Sequence, residues 1–329
     1  MYKSFFNLTR NPFDLSPDPR CFVPTKRHDE ALAALYYGIR RHKGFVVLTG
    51  EVGTGKTLLL RCLLELLKES KDVAYAYVFN GRLSSTEFLQ YILSDFGLPA
   101  SGKNKSELLL DLGQFLVSRG SKKMTTVLII DEAHHLSSDI LEEIRLLSNL
   151  ETDDRKLLQI VLVGQPELNE KLDSVELRQL KQRIAVRTHL GSLDAVEVEQ
   201  YIEKRLQIAG RNLDARSLFP EQTIAAVYHH SRGLPRLINT ICDNALITAY
   251  ARRSPSVTAD IIGEVAREFR LDVVYPPVAE RKHSSTEVDA QRATNLLLEL
   301  YDALQRHIAS DSTVDSPRVA ETSKHEPYI

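Results

Sequence analysis

The chain has 329 residues, enough for two domains and a tail at roughly 100 to 200 residues per domain. A formal net charge of −2 with 26% charged residues excludes a global basic field, so any nucleic-acid contact has to be local. Cys21, Cys62 and Cys242 are scattered, odd in number and without metal-ligand spacing, which suits a reducing cytoplasm better than a disulfide scaffold; Cys62 and Cys242 read as small core residues.

Met1 to Phe6 lacks the apolar region of a signal peptide. No apolar stretch approaches the roughly 20 residues that span a bilayer. The expectation is a soluble, cytoplasmic protein, with peripheral association at the inner membrane left open.

The first strong element is the apolar run Phe45 to Leu48, a strand, followed by Gly50-Glu51-Val52-Gly53-Thr54-Gly55-Lys56-Thr57. These eight residues match the phosphate-binding loop pattern G-x-x-x-x-G-K-[ST] and precede a helix with Leu58, Leu59, Leu60, Leu63, Leu64, Leu66 and Leu67 on its apolar face. Glycines let the loop turn its N–H groups onto a triphosphate, Lys56 suits the β- and γ-phosphates, and Thr57 offers a hydroxyl to Mg2+.

Four further strands are read at Val73 to Phe79, Thr126 to Ile130, Leu158 to Val163 and Ile184 to Leu190. Helices at Ser84 to Phe96, Lys105 to Arg119 and Ser138 to Glu151 separate them, which predicts a doubly wound α/β core with a parallel sheet over residues 1–192. The third strand ends in Asp131-Glu132. There Asp131 can hold Mg2+ through water while Glu132 polarises the attacking water, and an adjacent base argues for hydrolysis. His134 and His135 are either a sensor or contact site or surface histidines at a helix start. Asp131 to His134 spells the DEAH run of an RNA helicase family, but a helical second half leaves no room for a second sheet domain. No N-K-x-D guanine motif is present.

After Leu190 the pattern turns helical: Asp194 to Ala209, Pro220 to Ser231, Arg236 to Arg252 and Thr258 to Arg270. This predicts a small helical domain over 193–272, with Pro220 opening its helix and Gly233-Leu234-Pro235 separating two others. Residues 273–329 read as a largely disordered tail. Within it, 293–308 places Leu296, Leu297, Leu300, Leu304 and Ile308 at helical spacing, suited either to a partner helix or to its own domain.

Together the loop, Asp131-Glu132 and Gly233-Leu234-Pro235-Arg236 resemble the AAA+ superfamily, which implies five strands in the order 5-1-4-3-2 and a helical lid. Asn11-Pro12-Phe13, Pro17-Asp18-Pro19, Gly44-Phe45, Gly164-Gln165-Pro166-Glu167-Leu168, Leu180 to Ile184 and Gly233 to Asn239 narrow the resemblance. It is to the ATPases of the general secretion pathway protein A type and their pilus, exopolysaccharide and transposition relatives, over about residues 1–272.

The resemblance implies ATP and Mg2+ as cofactors, with Gly50 to Thr57, Asp131 and Arg236 around the nucleotide. Gln165 would be a polar sensor, Asn80 a hydrogen-bond partner that holds Glu132 inactive, and Arg236 a lid arginine reaching the γ-phosphate. Arg183, with Arg178 as alternative, would be a finger supplied in trans. Asn11 to Phe22 would lie against the adenine with Phe13 as an apolar contact, hinge packing being the alternative.

The implied protein is a homo-oligomeric ring or filament with a protein partner in a secretion, pilus or polysaccharide-export machine. That type carries a transmembrane segment and a periplasmic peptidoglycan-binding domain after its ATPase, where this sequence runs into a polar segment; a shorter relative is expected. The alternatives are a DNA-binding target-selection ATPase, with Arg40 to Lys43, Lys122-Lys123 and Arg252-Arg253 along one face, and a switch that binds ATP without turnover.

Overall fold

The computed structural model describes residues 2–16, 19–79, 83–152, 155–210 and 215–271, all within one compact unit. Asn80 and the segment 293–308 lie outside the described residues. In chain order the strands are β1 (Phe45–Gly50), β2 (Val73–Val78), β3 (Thr125–Ile130), β4 (Gln159–Gly164) and β5 (Ile184–Leu190). The helices are α1 (Tyr2–Phe5), α2 (Lys26–Arg40), α3 (Lys56–Glu69), α4 (Ser85–Asp95), α5 (Lys105–Ser121), α6 (Ser138–Leu147), α7 (Glu167–Leu172) and α8 (Arg178–Lys181). They continue as α9 (Ala195–Ile208), α10 (Ala215–Leu218), α11 (Glu221–Ser231), α12 (Pro235–Ala251) and α13 (Ala259–Glu268).

The five strands form one parallel sheet in the order β2-β3-β4-β1-β5, the expected order read from the other edge. Its inner strands β1, β3 and β4 are buried at every position, whereas β5 alternates half-buried and exposed residues because its outer edge and one face are less covered. Phe45, Val47, Leu128, Ile130, Ile160 and Leu162 share a core with Phe88, Leu112 and Ile140 of α4, α5 and α6, while α2 and α3 cover the opposite face. Each fully buried Leu, Ile or Phe in such a layer contributes roughly 1.5–3 kcal/mol relative to exposure.

Local signals set the helix starts. Ser84 with Glu87, Asn104 with Glu107 and Asp194 with Glu197 form reciprocal capping boxes at α4, α5 and α9. The expected third core helix is shorter than read, ending at Leu147 rather than Glu151, because Ser148 takes the C-cap. Pro220 is the N-cap of α11 with ψ 158°, one residue before the helix, rather than its first helical residue.

A second apolar cluster lies in α9 to α13 and includes Ile202, Leu206, Phe219, Ile241 and Leu246. Tyr2, Phe6, Leu8 and Phe13 from the chain's beginning belong to it. Arg205, 3% exposed, fixes this segment: its guanidinium donates to the carbonyls of Pro12 (2.5 Å), Asp14 (2.9 Å) and Cys21 (3.1 Å). Phe13 stands edge-on to Phe219 at 5.8 Å inside this cluster. Cys62 and Cys242 are buried and free, as expected of core residues, and so is Cys21.

Candidate active site

The loop Gly50 to Thr57 leaves the carboxyl end of β1 and opens α3 at Lys56. Gly53 and Gly55 take φ +85° and +100°, the left-handed region that favours glycine. At Gly53 the need is also steric, because an added methyl would lie 2.7 Å from Arg236 Cβ. Arg236, in the first turn of α12, donates its backbone N–H to Gly53 O at 3.1 Å. The start of α12 thus touches the phosphate loop directly, through the Gly233-Leu234-Pro235-Arg236 motif.

Lys56 is buried at the base of the loop and donates to the carbonyls of Gly50 (2.7 Å) and Glu51 (2.9 Å). Burial pulls its pKa down, against the opposing pull of Glu132, Asp131 and Glu51. The Thr57 hydroxyl donates to Asp131 Oδ2 at 3.3 Å, which joins the two motifs across 74 positions of sequence. Burial pushes Asp131 up, offset by hydrogen bonds from the Tyr77 hydroxyl (2.9 Å) and the Glu132 N–H (2.9 Å).

Glu132 holds a left-handed backbone at φ 53°, ψ 36°, uncommon for a residue with a Cβ. Its Oε2 is a buried oxygen with no hydrogen-bond partner among the described residues. His134 Nδ1 lies 3.4 Å away, but the same nitrogen accepts the Gln165 backbone N–H at 3.4 Å and so has no hydrogen to give the carboxylate. The His134 side chain is only 8% exposed, which overturns the reading of both histidines as surface groups; His135 is exposed. Lys171 of α7 ties the turn down by donating to His134 O (2.6 Å) and Leu136 O (2.7 Å).

A glycine cradle at a helix start, a buried ammonium, a hydroxyl beside a carboxylate and an orphaned carboxylate oxygen fit a nucleotide triphosphate with Mg2+. The donors that suit the metal are Thr57 and Asp131.

Gln165 follows β4 and reaches the site through its backbone contact with His134. Arg183 precedes β5, whose Ile184 pairs with Phe45 at the start of β1. It is therefore at the opposite end of the strand from its own loop, about 16 Å away at ~3.3 Å per residue, and donates to Ser148 Oγ at 2.8 Å. Arg178 begins α8 and is exposed. Arg41, Lys43, Lys122 and Lys123 are exposed on loops that precede β1 and β3, whereas Arg252 and Arg253 follow α12 and Arg252 pairs with Glu264.

His28 is the residue that the sequence reading missed. It is 5% exposed and lies under the loop. A carbonyl can only accept, so His28 Nε2–H donates to Thr54 O (3.3 Å) and Nδ1 takes the Thr25 hydroxyl (2.8 Å). Its signal was Thr25, which also caps α2 by accepting the His28 N–H, but a cap does not reveal that the ring points at a loop 26 positions away.

Burial lowers the His28 pKa from 6.5 to about 4. The unfolded chain then binds the extra proton first, so stability falls as pH drops from about 6.5 to 4, by at most about 1.4 kcal/mol per pH unit. In urea titrations the stability difference between the wild type and His28→Gln shrinks over that window; a difference constant from pH 7 to 4.5 would refute the burial of a neutral imidazole.

The AAA domain family matches residues 39–172. Over 269 residues the chain is 44% identical to general secretion pathway protein A of Aeromonas hydrophila, covering 82% of this chain and 48% of that protein. The chain thus spans about half the length of that relative. The ATP-dependent target DNA activator B of Escherichia phage D108 is 26% identical, covering 78% of this chain and 76% of the phage protein.

Among solved structures, the Aeropyrum pernix ORC2 protein aligns with a TM-score of 0.56 at 18% identity, over 79% of this chain and 71% of that one. The Thermotoga maritima RuvB branch migration motor aligns with 0.51 at 17%, over 78% and 73%. At such identities the likeness concerns the fold. Among the described residues no helix is long and apolar enough to cross a membrane. Residues 39–172 thus match an AAA domain, the strand order agrees with the solved AAA-type neighbours in fold, and over 82% of its length the chain is similar to general secretion pathway protein A.

Proposed function

We propose that the chain binds and hydrolyses ATP as an oligomer and uses the cycle to assemble or remodel a bacterial envelope machine for secretion, pili or polysaccharide export. The observation that carries this is the convergence of Lys56, Thr57, Asp131 and Glu132 on one loop that a lid residue, Arg236, touches. Lys56 places a positive charge against the β- and γ-phosphates. Thr57 and Asp131 would hold Mg2+, Asp131 through water, and the ion supplies charge neutralisation on the transferred phosphoryl oxygens.

Glu132 takes the proton of the attacking water through the carboxylate that no protein donor occupies. Gln165 orients that water, and Arg236 reports the nucleotide state to the lid. Asn80 is proposed to restrain Glu132. Arg183 is too far from its own loop to act in cis, which favours a finger given to a neighbouring chain, with Arg178 as the alternative.

Mixing Lys56→Ala chains with Arg183→Ala chains is the test of the shared site. Each variant alone is inactive, and the mixture regains phosphate release because one interface pairs an intact Lys56 with an intact Arg183. No regain at any ratio would remove Arg183 as a finger in trans.

A second reading, a DNA-binding target-selection ATPase, is favoured by one observation and one similarity. Contacts link the loops before β1, β2, β3 and β4: Arg40 pairs with Asp72, Arg119 donates to Asp72 O, Arg155 to Gly120 O, and Gln159 accepts from the Gly44 N–H. Arg41, Lys43, Lys122 and Lys123 are thereby gathered at one end of the sheet, and the phage activator is a relative. Stimulation of hydrolysis by double-stranded DNA that fades with rising salt supports this reading. Indifference to DNA dismisses it.

A further inference from the structure

Strand β2 carries tyrosines at alternate positions, Tyr75 and Tyr77, which the nucleotide motifs leave without a role. Tyr77 pairs in register with Ile129, two residues before Asp131, and its ring reaches past the strand end to that carboxylate. Its hydroxyl donates to Asp131 Oδ2 at 2.9 Å, closer than the 3.3 Å donation from Thr57 to the same oxygen. The other oxygen accepts the Glu132 N–H at 2.9 Å. A carboxylate has about four acceptor positions, so three donors fix its plane and leave a defined direction open.

Tyr77 is itself held at both its hydroxyl and its backbone. Strand β2 is the edge of the sheet, and among the described residues its outward N–H groups have no neighbouring strand. At Tyr77 that N–H donates instead to Asp95 Oδ2, at 2.6 Å, from the last residue of α4. The edge strand is thus pinned at the residue whose hydroxyl reaches the site, and the half-buried ring has little freedom to swing away.

We propose that Tyr77 is a positioning residue that aims the Asp131 carboxylate at the magnesium ion, with Asp95 holding the strand that carries it. This rests on the reading of Asp131 as a metal-holding group. Tyr77 touches neither phosphate nor metal in this role; it sets the orientation of the side chain that does. A tyrosine that merely filled space at the sheet edge would leave metal dependence unchanged when its hydroxyl alone is removed.

The experiment compares the full-length wild type with Tyr77→Phe, which keeps the ring and the strand. Binding of a fluorescent ATP analogue without metal stays within about twofold of wild type, since no phosphate contact is lost. The Mn2+ concentration that half-saturates the protein–ATP complex, read by electron paramagnetic resonance, rises about tenfold, the scale of one hydrogen bond to a charged group. Excess Mn2+ restores the hydrolysis rate. Asp95→Asn shifts the same Mn2+ curve in the same direction by less.

Asp131→Asn is run alongside. If it abolishes Mn2+ binding while Tyr77→Phe leaves the curve in place, the role of Tyr77 is overturned and the metal site stands. If Asp131→Asn binds Mn2+ as wild type does, the metal reading itself falls. Loss of metal-free nucleotide binding in Tyr77→Phe would show a structural role and overturn the proposal as well.

Discussion

Glu132→Gln retains ATP and slows its hydrolysis by about 100- to 1,000-fold, within the range usually supplied by a positioned general base. The substitution keeps the size and shape of the side chain, so the left-handed backbone at Glu132 and the donation from its N–H to Asp131 remain. What is lost is the basicity of a carboxylate whose Oε2 has no protein donor. Burial of that oxygen without a partner costs about 1–3 kcal/mol, and this is tolerable where a water is to be bound and deprotonated. Single-turnover phosphate release and equilibrium binding of a fluorescent analogue separate the two effects. Sedimentation with ATP then shows a locked assembly. Hydrolysis near the wild-type rate would move the base elsewhere, and wild-type assembly without turnover in either protein would favour a switch that only binds.

Gly233→Ala destabilises the protein by about 3 kcal/mol or more and weakens nucleotide binding, although it lies outside the phosphate loop. Gly233 has φ +73°, where an alanine is strained by about 1 kcal/mol. The larger effect is steric: an added methyl would stand 1.9 Å from Leu193 O, and that atom is backbone. Leu193 cannot withdraw cheaply, because its N–H donates to Gly233 O at 2.9 Å.

The preceding linker is fixed too, since Arg27 of α2 donates to Ser192 O at 2.9 Å. The clash is therefore relieved only by moving the start of α12, and Arg236 with it, away from Gly53. Thermal unfolding and nucleotide titration measure the two consequences. Gly113→Ala on α5, where an added methyl meets nothing within 4 Å, is the control and stabilises by roughly 0.5–1 kcal/mol. Equal stabilities for the two variants would mean that the close approach of Gly233 to Leu193 does not hold the start of α12 in place.

Both positions were visible in the sequence, for different reasons. Glu132 follows an apolar strand and an aspartate, a local pattern whose chemistry can be named from residue types alone. Gly233 belongs to a recognisable motif, but nothing local says that its methyl space is filled by a carbonyl 40 positions earlier. The β5 strand was read correctly from Ile184 to Leu190, since β-branched alternation survives at an edge. Lys26–Arg40 went unread as a helix, although Thr25 caps it, because its charges gather in 26–30 and its apolar residues in an unbroken run from Ala31 to Ile39, which hides the helical period.

The sequence by itself determined the nucleotide chemistry, the five strands and most of the longer helices, because a phosphate loop, a strand ending in two acids and helical periodicity are short-range patterns. Only the tertiary structure decided which partners those groups have. It packed Phe13 against Phe219 in the cluster of α9 to α13, drew His134 from the surface to within 3.4 Å of Glu132, and set His28 beneath Thr54 and Tyr77 against Asp131. Each of these depends on the crossing of elements distant in sequence. Burial and hydrogen-bond geometry at such crossings follow from packing the whole chain, and no local pattern of residue types encodes them.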